Sequence, residues 1–341
     1  MTAHEMQQAE RDQAVNALNI AALDAMRSGR LEAARKALAD ALDLDAASAQ
    51  THCNRGLLFA FEGKAQEAEA AYRGAIAAAP ALVEAHFNLA VLLHREGQAQ
   101  AAEDAYLHAQ RLLPDNAEIA FNLATLYRET GRVAEAEAAY RRAIALKPDY
   151  ARASHDLGVL LLEAGDTRGA EAALREAIRL APAYADAWYN LAIAVREAGR
   201  VDEAATLQRE AQRLRPGRVE DHNNLGILLA RQGQRVEAEA EFRAAIAIAP
   251  ERGEAYANLG NLLRETGRIV EAEAMLREAV RLAPELPAPL DGLGLLLQLS
   301  GRFDEAGDAF RKALALAPGL TTVSEHLNDL LREMHGDAPA P

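Results

Sequence analysis

Glycine recurs at one fixed interval through almost the whole of this 341-residue chain. Nine glycines keep the same step: Gly29, Gly63, Gly97, Gly131, Gly165, Gly199, Gly233, Gly267 and Gly301. Eight prolines keep it too, each half a period after its glycine: Pro80, Pro114, Pro148, Pro182, Pro216, Pro250, Pro284 and Pro318. A fixed period of this length is typical of stacked structural repeats. It predicts one continuous array with a long surface and no enclosed pocket, which favours binding over catalysis.

Each period has the pattern of two helices. With the glycine counted as position 15, apolar residues at positions 4, 7, 8 and 11, and again at 20, 24, 27 and 28, follow helical spacing. The glycine can adopt the left-handed geometry that ends a first helix, and the proline at position 32 stops a second one. Position 8 is Gly or Ala, and positions 20 and 27 are Ala in all nine repeats, so the two helices are expected to pack closely.

This pattern resembles the tetratricopeptide repeat from Val15 to Leu320. The resemblance implies an all-α fold, a right-handed superhelix of antiparallel helix pairs. First helices would line the concave surface and second helices the convex one. The chain departs from the family pattern at Ala46, where the proline is expected, and at Arg55, where position 7 is expected to be Leu.

The period divides the chain into four kinds of region. Residues 1–14 are expected to extend the first helix backward, and residues 321–335 to form a capping helix with an apolar stripe. Residues 336–341 are expected to be disordered. The nine repeats between them span 15–48, 49–82, 83–116, 117–150, 151–184, 185–218, 219–252, 253–286 and 287–320.

Composition excludes several classes of function. A net charge of −14 argues against nucleic acid and against an anionic membrane surface. A single cysteine, Cys53, and a polar N-terminus without a signal-peptide pattern predict a cytoplasmic protein. No apolar run is long enough to span a membrane. No catalytic constellation and no metal-ligand spacing is present, so we expect a protein that is not an enzyme and has no cofactor or metal.

The most suggestive pattern is a ladder of asparagines at position 6, interrupted by Asp156. Its members are Asn54, Asn88, Asn122, Asn190, Asn224 and Asn258. The segments Glu84-Ala-His-Phe-Asn-Leu-Ala and Asp221-His-Asn-Asn-Leu-Gly are similar to repeats of protein O-GlcNAc transferase. That resemblance implies that the ladder holds an extended polypeptide by its main chain. The alternative is that asparagine here is common in such repeats and only shapes the helix.

Apolar and charged residues flank the ladder. Val91, Ile193 and Ile227 at position 9, and Phe87, Phe121 and Tyr189 at position 5, could seat partner side chains or be partly buried between first helices. Acidic residues recur at position 2: Glu84, Glu118, Asp186, Glu220 and Glu254. Arginines recur at positions 12 and 13: Arg95, Arg128, Arg196, Arg231 and Arg264. These charges predict two stripes of opposite sign, with a solvated surface as the alternative.

We therefore predict a protein-interaction scaffold that binds an extended polypeptide in its concave groove. Two alternatives remain open: a substrate-recruiting arm of a protein-modifying enzyme such as a glycosyltransferase, and an array that self-associates. The oligomeric state is not predicted. Gln208 stands where an aromatic residue is expected in repeat 6, which suggests a soft junction with repeat 7 unless that side chain is half exposed.

Overall fold

A computed structural model describes residues 3–335, and every element in that range is an α-helix. The all-α class is therefore confirmed for these residues. The chain divides after Gly165 into two compact segments, one on either side of that residue. The proposed disordered tail, residues 336–341, lies outside the described part of the chain.

The N-terminal segment holds the first nine helices. Its first helices are α1 Ala3–Arg27, α3 Ala49–Phe61, α5 Val83–Arg95, α7 Ala117–Glu129 and α9 Ala151–Glu163. Its second helices are α2 Leu31–Leu44, α4 Ala65–Ala78, α6 Ala99–Leu112 and α8 Val133–Leu146. Each second helix packs on the first helix of its own repeat and on that of the next. The first helix α3 also touches α1 and α5, and α5 touches α7, so these four helices share one face.

The C-terminal segment continues the alternation. It begins with the second helix of repeat 5, α10 Thr167–Leu180. The pairs that follow are α11 Ala185–Glu197 with α12 Val201–Leu214, α13 Val219–Arg231 with α14 Arg235–Ile248, α15 Gly253–Glu265 with α16 Ile269–Leu282, and α17 Pro287–Leu299 with α18 Phe303–Leu316. The last helix, α19 Thr321–His335, covers α18 with Val323 and Leu330, which are at most 4% exposed.

The periodic glycines set the turn between the two helices of each repeat. All nine have positive φ angles of 70° to 82°, a region that residues with a Cβ rarely adopt. At Gly131 the amide donates to the Arg128 carbonyl at 3.0 Å, and Arg132 N donates to the Tyr127 carbonyl at 2.8 Å. These two bonds satisfy carbonyl groups that the helix end leaves without partners.

Small residues let the helices of a repeat approach closely. The alanines at positions 20 and 27 are fully buried in all nine repeats, from Ala34 to Ala313. Above them lies the large residue of position 24, such as Tyr140 or Phe242, each at most 2% exposed. A Cβ added to Gly226 would come within 2.6 Å of the Phe242 ring. The core is therefore a stack of one large side chain per repeat between small neighbours.

Ion pairs fasten adjacent second helices. An arginine at position 16 reaches the glutamate at position 21 of the preceding repeat and the glutamate at position 19 of its own. Arg132, for example, lies 2.7 Å from Glu103 and 3.1 Å from Glu135. Arg200, Arg268 and Arg302 repeat the arrangement in the C-terminal segment. The glutamates are half-buried or exposed, so each pair adds little to the free energy of unfolding. Their role is to align neighbouring second helices.

The junction between repeats 6 and 7 is polar inside. Gln208 is 1% exposed, and its Nε2 donates to Oδ1 of Asp221 at 3.1 Å; Asp221 is fully buried. Beside this pair, Glu241 Oε2 lies 2.7 Å from His222 Nδ1 and accepts from Gln212 Nε2 at 3.2 Å. Gln208 is therefore not half exposed. A hydrogen-bonded pair takes the place of the large apolar side chain found in the other repeats, and whether it softens the junction remains a prediction.

Candidate functional site

The asparagine ladder connects neighbouring first helices. An asparagine at position 6 reaches position 5 of the preceding repeat. Asn258 Nδ2 donates to Asn223 Oδ1 at 2.8 Å, and Asn224 Nδ2 donates to the Tyr189 hydroxyl at 3.0 Å. Asn88 Nδ2 lies 3.6 Å from the sulfur of Cys53. Because the amide nitrogens are already engaged, the ladder has a structural role in the register of the stack.

The side-chain carbonyl oxygens of three ladder asparagines accept no hydrogen bond from the described residues. Within residues 5–335, no donor reaches Oδ1 of Asn88, Asn224 or Asn258, and all three side chains are half-buried. Asn122 has turned back, so its Nδ2 donates to the Glu118 carbonyl of its own helix at 2.8 Å. The ladder therefore offers hydrogen-bond acceptors along its exposed side, which suits the N–H groups of a peptide backbone.

Two of the candidate residues are placed differently from expectation. Asn54 is 1% exposed; it donates to Asn19 Oδ1 at 2.8 Å and accepts from Gln50 Nε2 at 3.3 Å. Phe121 is 4% exposed, because its ring packs against Tyr140 and Tyr150 and the Arg152 guanidinium lies 5.0 Å above it. Neither side chain can touch a bound polypeptide, so both are removed from the candidate contact surface.

A depression of about 400 Å³ lies between α3 and α5 in the N-terminal segment. Its apolar wall includes Leu57, Val91 and Phe61, and Phe61 is 72% exposed, which is unusual for a large aromatic side chain. Asn88 and Arg95 supply its polar edge. A ladder asparagine, an apolar wall and the cation Arg95 therefore line the same depression. Phe87 is half-buried and its ring lies 6.0 Å from that of Tyr106.

The thiol beside this depression is inert. Cys53 is 1% exposed, and burial raises the pKa of its thiol to about 11, so it stays protonated at neutral pH. Its contribution is to meet the Asn88 amide, not to react.

A second depression of about 300 Å³ lies in the C-terminal segment, against α13 and α15. Tyr189 and Asn224 line it, joined by their hydrogen bond, and the Arg218 guanidinium lies 4.3 Å above the Tyr189 ring. Ile193 and Ile227, the position-9 residues of the same repeats, are half-buried. Asn190 is also half-buried. The exposed parts of these side chains define the ladder face of the C-terminal segment, and those of Asn88, Val91 and Phe61 define the ladder face of the N-terminal segment.

An ion-pair ladder runs along one edge of the same face. Arg218 lies 3.3 Å from both Asp186 and Glu220, while Arg252 pairs with Glu220 and lies 3.2 Å from Glu254. The hydrogen bond from Arg252 holds the pKa of Glu220 below its usual value. The acidic stripe predicted at position 2 is therefore neutralised here by arginines at position 34. In the N-terminal segment Leu82 and Asn116 occupy position 34, so Glu84 and Glu118 keep their charge uncompensated from that side.

The opposite edge, at the ends of the first helices, differs between the segments. In the N-terminal segment, position 12 pairs with position 13 of the next repeat: His94 lies 2.7 Å from Glu129, and Arg128 lies 3.3 Å from Glu163. In the C-terminal segment the same two positions hold Arg196 and Arg231, two cations. Neither forms an ion pair with any described residue, nor does Arg264 on α15. Glu197 and Glu265 follow two of these arginines directly in the sequence but form no ion pair with them.

The position-4 histidines have structural partners. His52 Nε2 lies 2.9 Å from the Ala46 carbonyl, and His86 Nε2 lies 2.9 Å from the Pro80 carbonyl. Trp188, at the same position of its repeat, donates from Nε1 to the Pro182 carbonyl at 2.8 Å. Within the described residues, no group of three or more His, Cys, Asp or Glu side chains could hold a metal ion. No helix among them has the length and apolar character that crossing a bilayer requires.

Family models match most of the sequence. All are described as tetratricopeptide repeats, and they cover residues 21–83, 53–117, 117–183, 155–219, 221–285 and 290–324. No curated protein matches the sequence. The matches identify the family and no narrower group, so the closer resemblance to the repeats of O-GlcNAc transferase stays a prediction.

Solved structures support the same fold. PilF of Pseudomonas aeruginosa has a TM-score of 0.56 at 21% identity, over 62% of this chain and 96% of that one. A chain of the Cut9–Hcn1 hetero-tetramer of the APC/C has a TM-score of 0.58 at 15% identity, over 88% of this chain and 59% of that one. Identities this low carry the fold alone. With repeat models matching well over half of its length, the chain belongs to the tetratricopeptide repeat family.

Proposed function

We propose that this protein is an interaction scaffold whose ladder face binds an extended polypeptide. The observation that carries the proposal is that three features occur together on the first helices within each segment. These are amide acceptors, half-buried apolar side chains, and a depression, of about 400 Å³ in the N-terminal segment and about 300 Å³ in the C-terminal segment. Tetratricopeptide arrays present long surfaces of this kind to their partners.

The binding mode follows from the groups that are free. Backbone N–H groups of a partner would donate to Oδ1 of Asn88 in the N-terminal segment, or to Oδ1 of Asn224 and Asn258 in the C-terminal segment. These contacts are made to the main chain of the partner, so they tolerate many sequences. Apolar partner side chains would enter the depression beside Val91 in the N-terminal segment, and would pack on the half-buried Ile227 in the C-terminal segment. Each contact is modest, because exposed hydrogen bonds contribute only about 0.5–1.5 kcal/mol, so affinity would depend on several repeats acting together.

Charge gives the partner a further property. The unpaired Arg196 and Arg231 would bind a carboxylate of the partner, which would replace the anion that Glu163 supplies to Arg128 in the N-terminal segment. We therefore expect acidic side chains to be favoured in the part of the polypeptide that lies on α11 and α13. Long-range attraction of this kind weakens with salt.

The proposal is tested with a peptide selected from a random displayed library against the full chain. Substituting Val91→Ser and Ile227→Ser should weaken binding of that peptide at least tenfold, because both remove apolar contact area on the ladder face. The matched controls are Val236→Ser and Val270→Ser, since those valines are 80% and 85% exposed on second helices. Failure of the library to yield any binder, or equal loss from both pairs of variants, would overturn the proposal.

A further inference from the structure

Arg55 occupies a place that the other repeats give to a buried leucine. It lies at position 7 of repeat 2, where repeats 3 to 9 have Leu89, Leu123, Leu157, Leu191, Leu225, Leu259 and Leu293. Each of those leucines is at most 7% exposed. A charged side chain at a core position is costly unless it is paired. Arg55 is therefore the clearest departure from the repeat pattern within the N-terminal segment.

The arginine finds no partner for its charge. Its Nε is buried and has no hydrogen-bond partner, and no carboxylate among residues 5–335 forms an ion pair with it. Its Cζ lies 5.7 Å from the centroid of the Phe59 ring. The neighbouring Arg35 is different, because Glu62 and Glu32 neutralise it. Arg55 is therefore a partly buried cation without an anionic partner among the described residues.

A pocket lies beside this cation. It has a volume of about 310 Å³ and lies between α2 and α3. Leu38 and Leu58, each 1% exposed, form its floor, and Leu42 and Phe59 contribute apolar surface. Asp43, which is exposed, is the only carboxylate of the lining. Arg35 also lines the pocket, but its charge is neutralised by Glu62 and Glu32, so Arg55 is the unpaired cation of the lining. A pocket at the small end of the range for ligand sites, with an apolar floor and one unpaired cation, suits a compact ligand.

We propose that this pocket binds a small carboxylic acid with an aromatic or branched apolar group. The apolar group would cover Leu38, Leu58 and Phe59, and the carboxylate would accept hydrogen bonds from the terminal nitrogens of the Arg55 guanidinium. Arg55 thus lowers the stability of the repeat and provides the cation that binds the ligand. Departures from an otherwise regular pattern are expected at functional sites. This site is separate from the ladder face and does not depend on the function proposed for it.

The test uses 1-naphthoate as the probe and 1-naphthamide as its uncharged analogue, with binding to the full chain followed by calorimetry. Naphthoate should bind with one site per chain and at least tenfold more tightly than the amide. Arg55→Met should abolish that preference, since it removes the charge and keeps an unbranched side chain. Arg55→Leu should abolish binding and raise Tm by a few degrees, because it restores the apolar core residue of the other repeats.

The matched control is Arg30→Leu, an exposed arginine of the same segment with no ion pair among the described residues. It should leave naphthoate binding and Tm unchanged. The proposal is wrong if naphthoate does not bind the wild type, or binds Arg55→Leu equally well. It is also wrong if Arg55→Leu lowers Tm, since Arg55 would then be needed for folding.

Discussion

Gln208 and Asp221 should behave as a coupled pair when each is replaced by the residue that other repeats carry at its position. Position 24 is Leu in repeats 1, 5 and 8, so the first replacement is Gln208→Leu. Position 3 is Ala in repeats 1, 3, 5, 6 and 8, so the second is Asp221→Ala. The expectation is that each single change destabilises the protein, whereas the double change does not.

The magnitude follows from what each single change leaves unpaired. In Gln208→Leu the fully buried Asp221 loses the donor to Oδ1, and its Oδ2 already has no partner, so the cost is about 2–3 kcal/mol. In Asp221→Ala the buried amide of Gln208 loses its acceptor, which costs about 1–2 kcal/mol. The double variant removes both polar groups together and is expected near the wild-type stability. The magnitude of the coupling free energy is therefore about 3–5 kcal/mol.

The assay is native-state hydrogen exchange, read at the backbone amides of α12 and α13, with urea unfolding as a global check. Local exchange is preferred because stability in repeat arrays resides in contacts between neighbours and need not be uniform. A double variant whose destabilisation equals the sum of the two single effects would refute the reasoning. It would show that the two side chains do not compensate for each other.

Three further predictions concern the same structure. Burial raises the pKa of Asp221, so its stabilising contribution is full below the unfolded pKa of about 3.9 and is lost as pH rises through the folded value. Protection of α12 and α13 in the wild type should therefore fall as pH rises above about 4, relative to the Gln208→Leu/Asp221→Ala variant. Asn258→Ala should destabilise by about 1 kcal/mol in urea unfolding, and Asn122→Ala by less, because only Asn258 bonds to the preceding repeat; equal effects would contradict this. Ala136→Leu should cost about 1–3 kcal/mol by overpacking a fully buried position, and an unchanged Tm would count against close packing there.

The features that repeat with the period were predictable from sequence. One glycine per period and invariant alanines at positions 20 and 27 required a helix pair per repeat, because backbone geometry and close packing leave few alternatives for such residues. The structure places Gly131 at a φ of 75° and Ala136 in the core, as that argument requires. These inferences needed only one repeat at a time.

Features that depend on distant parts of the chain were not predictable in the same way. Arg252 meets Glu220 from the far end of the same repeat, and Asn258 meets Asn223 of the repeat before it, so helical spacing within one element reveals neither link. The pair of Arg252 and Glu220 could have been found by aligning the arginine at position 34 with the acidic residue at position 2 of the same repeat. The burial of Phe121 depends on Tyr150, which belongs to the loop before the next repeat. A position-5 aromatic therefore cannot be assigned to groove or core from its own helix.

The pairing of Gln208 with Asp221 shows the same limit. Gln208 was recognisable as unusual, because an apolar side chain was expected at its position. Asp221 stands within a segment that matches the ladder motif, although alanine occupies that position in five other repeats. Two departures at adjacent faces of neighbouring repeats were the signal that a polar pair had replaced an apolar contact.

The most direct test of the central claim is to find where a bound polypeptide lies. A photoreactive phenylalanine analogue is placed at residue 91 or 227 on the first helices, or at the control positions 236 or 270 on the second helices. Each version is irradiated with the peptide selected from the displayed library, and covalent adducts are mapped by mass spectrometry. The account predicts adducts from positions 91 and 227 and none from 236 and 270. Adducts from the control positions alone would contradict it and would move the binding surface to the second helices.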